Sequence, residues 1–134
     1  MGTEALFESL DFVYMPSRDA AADIARFVDG LGGSLVFAIE RFGTRVAMVR
    51  LAEDGPAVLL AEHLEGDAPV LVYRVADLDP TLSELAHRGV EVAAHFGIPH
   101  GPGAELAISG PQRIALYQLT RPEVAERLAG RKDF

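Results

Sequence analysis

The sequence predicts an α+β fold in which two strand-helix-three-strand modules form an open, curved mixed-sheet barrel with helices on the outside. Three observations predict it. The stretch Gly110-Pro111-Gln112-Arg113-Ile114-Ala115-Leu116-Tyr117-Gln118 is a turn feeding a strand, since Gly-Pro punctuates and the following residues favour strands without helical spacing. A weaker copy runs from Gly55-Pro56 to Glu62-His63. Upstream of each copy a strand leads to an aspartate and a helical stretch: Leu10 to Met15 before Asp19, and Leu71 to Val75 before Asp77. Asp77 follows Asp19 by 58 positions and Gly110 follows Gly55 by 55, so the halves differ by a short deletion.

Length and composition set the frame. A chain of 134 residues is expected to be a single domain, 1–134, with modules at about 10–64 and 68–119 and a C-terminal helix at about 121–130. With 49% hydrophobic and 24% charged residues, disorder is not indicated. The net charge of −8 and the absence of a Lys/Arg cluster exclude a nucleic-acid partner. There is no cysteine, hence no disulfide, thiolate metal site or cysteine nucleophile; this composition suits a reducing compartment, and a cytoplasmic location is expected. No apolar run approaches the roughly 18 residues of a membrane span, and no signal-peptide pattern opens the chain.

Taken in order, residues 1–9 carry no chemistry. The first strand, Leu10 to Met15, stops at Pro16, and Ser17 or Asp19 can cap the helix that follows. In that helix Ile24, Phe27, Val28 and Leu31 recur at i, i+3, i+4 and i+7, an apolar stripe for packing on a sheet, ended by Gly30, Gly32 and Gly33. Strands Ser34 to Phe42, Thr44 to Leu51 and Ala57 to His63 then form a meander. The second module opens with Ala68 to Val75. Asp79-Pro80 starts its helix, whose buried stripe is Leu82, Leu85 and Ala86, and Gly89 ends it. Strands Glu91 to Phe96, Ala104 to Ser109 and Arg113 to Leu119 follow, with Gly97 to Gly103 as a rim loop between the first two. Arg121-Pro122-Glu123 begins a terminal helix carrying Val124 and Leu128, a lid or an edge cover.

Several motifs in order, Leu10-Asp11-Phe12-Val13 before Asp19, Val75-Ala76-Asp77-Leu78-Asp79, Arg88-Gly89-Val90-Glu91-Val92 and Gly110-Pro111-Gln112-Arg113-Ile114-Ala115-Leu116, resemble the vicinal oxygen chelate superfamily over residues 10–119. That group includes glyoxalase I, extradiol dioxygenases and the fosfomycin- and bleomycin-resistance proteins. The resemblance implies two paired modules and a homodimer. Its metal-dependent members carry His or Gln on the first strand, Glu or His on the fourth, His on the fifth and Glu on the eighth. These positions fall here on Phe12, Leu60, Val70 and Ala115, none of which can ligate a cation, so no metal and no cofactor are expected.

What remains is an apolar sheet face. Because side chains alternate along a strand, an inward Phe12, Leu60, Val70 and Ala115 would bring Tyr14, Glu62, Arg74, Arg113 and Tyr117 to the same face as polar points, a composition common in pockets for small organic ligands. These nine residues are the candidate ligand-binding set. A filled barrel without a cavity is the alternative, with Glu62 paired to Arg74 or Arg113 across the strands. His63, His87, His95 and His100 are expected to be exposed, their spacing being poor for a metal. The leading functional expectation is a glyoxalase/bleomycin-resistance-type protein without the family metal, sequestering a drug or metabolite; the net charge favours a cationic one. The alternatives are a metal-dependent lyase, isomerase or dioxygenase with a rearranged site at His95, His100 or Glu62, and an inert dimerisation module.

Overall fold

A computed structural model describes residues 5–41 and 43–134 of the chain. The first module is β1 (Ser9–Pro16), α1 (Ala20–Ala25), β2 (Ser34–Arg41), β3 (Thr44–Arg50) and β4 (Ala57–Ala61). The second repeats it as β5 (Val70–Val75), α2 (Leu78–His87), β6 (Glu91–Ile98), β7 (Gly101–Ala107) and β8 (Ile114–Gln118), and α3 (Val124–Leu128) follows. Phe42, expected to end a strand, lies outside the described residues.

All eight strands join one open mixed sheet in the order β2-β3-β4-β1-β5-β8-β7-β6. Within each module the first strand pairs in parallel with the last, β1 with β4 and β5 with β8. The modules meet where β1 and β5 run antiparallel, from Ser9 opposite Arg74 to Tyr14 opposite Val70. The sheet is strongly curved: Phe37 and Ile39 on one outer strand line the same cleft as Ile98 on the other.

The two helices cover one face of the sheet, each over its own module. Ala47, Val49, Val58 and Leu60 pack with Ile24, Phe27 and Val28 of the first helical segment, while Val75, Leu106 and Leu116 pack with Leu78 and Leu85 of α2. The opposite, concave face carries a third cluster drawn from both modules, including Phe12, Met48, Leu59, Val72, Ala115 and Tyr117. Asp19 caps α1 as expected, accepting the Ala22 N–H at 3.2 Å, and Asp77 holds the N-cap position of α2.

Two expectations about the helices need correction. Leu31 does not complete the first stripe but is 64% exposed. The helix passes into a π-helical turn at Arg26–Gly30, where the Leu31 N–H reaches the Arg26 carbonyl, and the wider turn rotates Leu31 off the buried side. In α2, Ala86 is exposed and Leu78 takes its place in the buried stripe.

The chain end protects the β2 edge. The Gly130 N–H donates to the Val36 carbonyl, Ala38 N–H to Arg131 and Asp133 N–H to Ala38, while the Asp133 carboxylate accepts the Glu40 N–H at 2.9 Å. These bonds occupy backbone groups that an open edge would present for association. α3 meanwhile lays Leu128 on the concave cluster. Deleting residues 130–134 removes this ladder, and we expect a loss of about 2 kcal/mol at roughly 1 kcal/mol or less per net hydrogen bond. A urea midpoint equal to that of the full chain would contradict the assignment.

Candidate ligand-binding site

The concave face holds linked depressions. One, of about 350 Å³, is lined by Asp11, Phe12, Phe37, Met48, His100 and Tyr117 among others, with Arg50 at its rim and Pro122 and Ala125 of the C-terminal segment alongside. A second, of about 240 Å³, is lined by Tyr14, Val70, Val72, Phe96, Glu105 and Ala115. A narrower space between them is bounded by Tyr14, Phe37, Leu59, Ile98 and His100.

Of the nine residues expected to share a pocket, seven do lie on this side. Phe12, Tyr14, Val70, Ala115 and Tyr117 belong to the concave cluster or pack on it. Arg74 is on the same face of β5 as Val70 and Val72, and Arg113 borders the second depression through Glu105, its Nε 3.4 Å from that carboxylate. Arg113 also donates to the carbonyls of Glu65 and Ala68, which fastens the segment between the modules.

Leu60 and Glu62 do not join them. Leu60 is 1% exposed beneath α1, and Leu59 takes the concave position on β4. Glu62 accepts the Ala20 N–H at 2.8 Å and so caps the first helix; the expected pairing of Glu62 with Arg74 or Arg113 is replaced by Arg74 with Glu8 and Asp11, and Arg113 with Glu105. Correcting Leu60 to Leu59 leaves the donor chemistry unchanged. Phe12, Leu59, Val70 and Ala115 present only carbon, and no group of three or more His, Cys, Asp or Glu side chains among the described residues could hold a metal ion. The residues at these four positions supply no donor for the divalent cation of the superfamily that the sequence resembles.

Two site residues escaped the sequence. Asp11 reaches the concave face because β1 carries a bulge between Leu10 and Phe12, which lets both Asp11 and Phe12 line the first depression instead of alternating. A lone carboxylate inside an apolar strand is its one sequence signal. Asp11 accepts the Tyr117 O–H and, on its other oxygen, the Ser9 O–H at 2.5 Å. The Arg74 Nε lies 3.6 Å from Asp11 and 3.3 Å from Glu8, near enough for charge attraction, yet it is buried without a hydrogen bond.

His100 is the second. Expected to be exposed, it is 8% exposed, its ring 5.2 Å from Phe12 and 6.4 Å from Tyr117. The expected rim loop is absent because β6 and β7 extend to a tight turn at Pro99 and His100. Thr120 and Arg121 hold that turn down by donating backbone N–H groups to the His100 carbonyl, both at 3.0 Å. The other three histidines are exposed as expected.

Burial sets the titration of these groups. Desolvation pushes the Tyr14 hydroxyl up to about 12. Tyr117 is raised too, first by desolvation and then by its bond to Asp11. His100 is lowered from 6.5, mainly by desolvation, against the opposing pull of Asp11.

No protein-family model and no curated protein sequence matches this chain. Solved structures do. The methylmalonyl-CoA epimerase of Mycobacterium tuberculosis superposes with a TM-score of 0.74 at 22% identity, covering 94% of this chain and 97% of that one. A hypothetical protein from Bacillus halodurans C-125 gives 0.69 at 14%, covering 84% and 95%. A Streptomyces coelicolor methylmalonyl-CoA epimerase variant in complex with 2-nitronate-propionyl-CoA gives 0.71 at 14%, covering 85% and 96%. The chain has the vicinal oxygen chelate fold. At these identities the likeness establishes architecture and leaves activity to the site's own chemistry.

His100 supplies a pH test. Its folded pKa is below the unfolded 6.5, so as pH falls through this region the unfolded chain takes up a proton first and stability drops. We expect the melting temperature to decline between about pH 7 and about pH 5, a window that brackets the ordinary imidazole value, and His100→Phe to flatten part of that decline. An identical pH profile in the variant would contradict a buried neutral ring.

Proposed function

We propose that this chain binds a small organic molecule in the concave cleft shared by its two modules, and does so without the divalent metal of its fold family. The observation that carries the reading is the pairing of apolar residues at the metal positions with depressions that remain between the modules. Their walls are aromatic and aliphatic, and few polar groups converge on them. Volumes of this kind lie near the lower end of the ~300–1,000 Å³ typical of ligand pockets. Filled-barrel packing accounts less well for the same residues, since an exclusively structural face would not leave open space beside Phe12 and Val70.

Sequestration of a drug or metabolite is the role that suits a site without a nucleophile or metal cluster, and the acidic chain raises the local concentration of cationic compounds at low salt. A homodimer acting in the cytoplasm accords with this role. The rival, a metal-dependent lyase, isomerase or dioxygenase with a rearranged site, would draw that site from His95, His100 or Glu62. Glu62 caps α1, His95 is exposed on the outer strand and His100 is buried beside Phe12. The epimerases that share the fold are named for an acyl-CoA substrate, which makes methylmalonyl-CoA an informative control.

Thermal shift across a panel of apolar and cationic compounds, methylmalonyl-CoA and divalent metal salts tests this. A ligand at about 100 times its Kd adds roughly 2.7 kcal/mol to stability. We expect at least one organic compound to raise the melting temperature and the metal salts to leave it unchanged. Stabilisation by manganese, nickel, iron or zinc together with methylmalonyl-CoA would replace this reading with the enzymatic one.

A further inference from the structure

We infer that the floor of the Asp11–His100–Tyr117 cleft is a seat for the hydrogen-bond donor of an aromatic ligand: an O–H or N–H head on a ring that packs against Phe12 and Phe37. This rests on the cleft being a ligand site, and adds the class of molecule it takes.

The hydrogen-bond inventory of the Asp11–Tyr117 pair is one-sided where it lines the cleft, since Arg74, 3.6 Å from Asp11, does not line it. Tyr117 has one proton to give and gives it to Asp11, so its oxygen is left with acceptor capacity alone. Asp11 is an acceptor by nature. Its two oxygens take the Tyr117 and Ser9 hydroxyls, and each keeps a lone pair. The His100 ring makes no side-chain hydrogen bond to any described residue, although more than nine-tenths of it is buried; a neutral imidazole carries one acceptor nitrogen and one N–H, so it can meet either kind of group. At Asp11 and Tyr117 a ligand group that can only accept would meet lone pairs, whereas one that donates would complete them, and an unmatched polar group in such a place carries the full desolvation penalty.

The walls select a ring. Phe12 lies 5.4 Å from Tyr117 and 5.2 Å from His100, in tilted arrangements that suit edge and face contacts with a planar guest. Phe37 and Met48 close the opposite side. Arg50 stands at the rim, where its guanidinium is held by the Gly55 carbonyl at 3.2 Å, and so it does not supply a donor at the floor.

The test compares four one-ring probes on the isotopically labelled full chain by NMR titration: phenol, benzylammonium, anisole and benzoate. Phenol and anisole have nearly the same shape, and the methyl group removes only the donor. We expect a donor-bearing probe to bind about tenfold more tightly than anisole, the factor that corresponds to a single matched polar contact, with shifts at Phe12, His100 and Tyr117. If phenol leads, the head is neutral; if benzylammonium leads, it is cationic; both support the assignment. Anisole binding as well as phenol, or benzoate binding best, would overturn it while leaving the cleft a ligand site. Failure of all four at millimolar concentration would overturn both readings. Asp11→Asn, whose amide can donate, should erase most of the preference, and a folded variant that keeps it in full would also overturn the assignment. Should that variant fail to fold, the comparison of probes on the native chain stands by itself.

Discussion

The antiparallel seam between β1 and β5 is the constraint on which the rest depends. It is the place where two half-sheets become one, and each half brings its own parallel partner, β4 or β8, to the flank of the seam. Neither module can bury both faces of its strands alone. The helices take one face within each module, and the other face is closed only by curvature of the joined sheet. The cleft is thus a consequence of the seam. Side chains of β1, β5 and β8 must point into it, and the chemistry of the protein is decided by what those strands carry.

Much of this was legible because the signals were local and repeated. The cap at Asp19, the aspartate at 77 ahead of the second helix, the meanders and the turn glycines define each module without reference to the other. Faces were harder. Aligning the halves on their Gly-Pro turns matched Leu60 to Ala115, a spacing of 55. The concave residues are instead Ala57 and Leu59 on β4 and Ala115 and Tyr117 on β8, a spacing of 58, the same as that between Asp19 and Asp77. Ala57 follows Gly55 by two positions and Ala115 follows Gly110 by five. An odd difference in turn length inverts the side-chain parity of the strand it feeds, so the turn was a poor anchor for register and the helix cap a good one.

Asp11 and His100 were illegible for a different reason. A bulge cannot be read from one strand, since it is a property of pairing with β5, and alternation alone would have sent Asp11 to the helix side. His100 sits between Pro99 and Gly101, residues that signal an exposed turn, and exposure is what local pattern predicts. Its burial comes from residues twenty positions away: Thr120 and Arg121 bind its carbonyl, and the Arg121 side chain binds the Ile98 carbonyl at 2.9 Å.

That last set of bonds ties the chain end to the site. From β8 the chain passes through Thr120 and Arg121, which clamp the β6–β7 turn over the concave face, then through α3, which borders the cleft with Ala125, and ends as the ladder on β2. One continuous segment therefore spans from the outer strand of the second module to the outer strand of the first. Since the sheet is open, nothing in its strand pairing fixes the distance between those two strands, and this strap does. Cleft width and His100 placement are then coupled: loosening the strap at β2 would let the sheet relax outward at the same time as it frees the turn that holds the imidazole. A binding site on an open sheet needs such a brace, because curvature maintained by packing alone would vary with whatever the cleft contained.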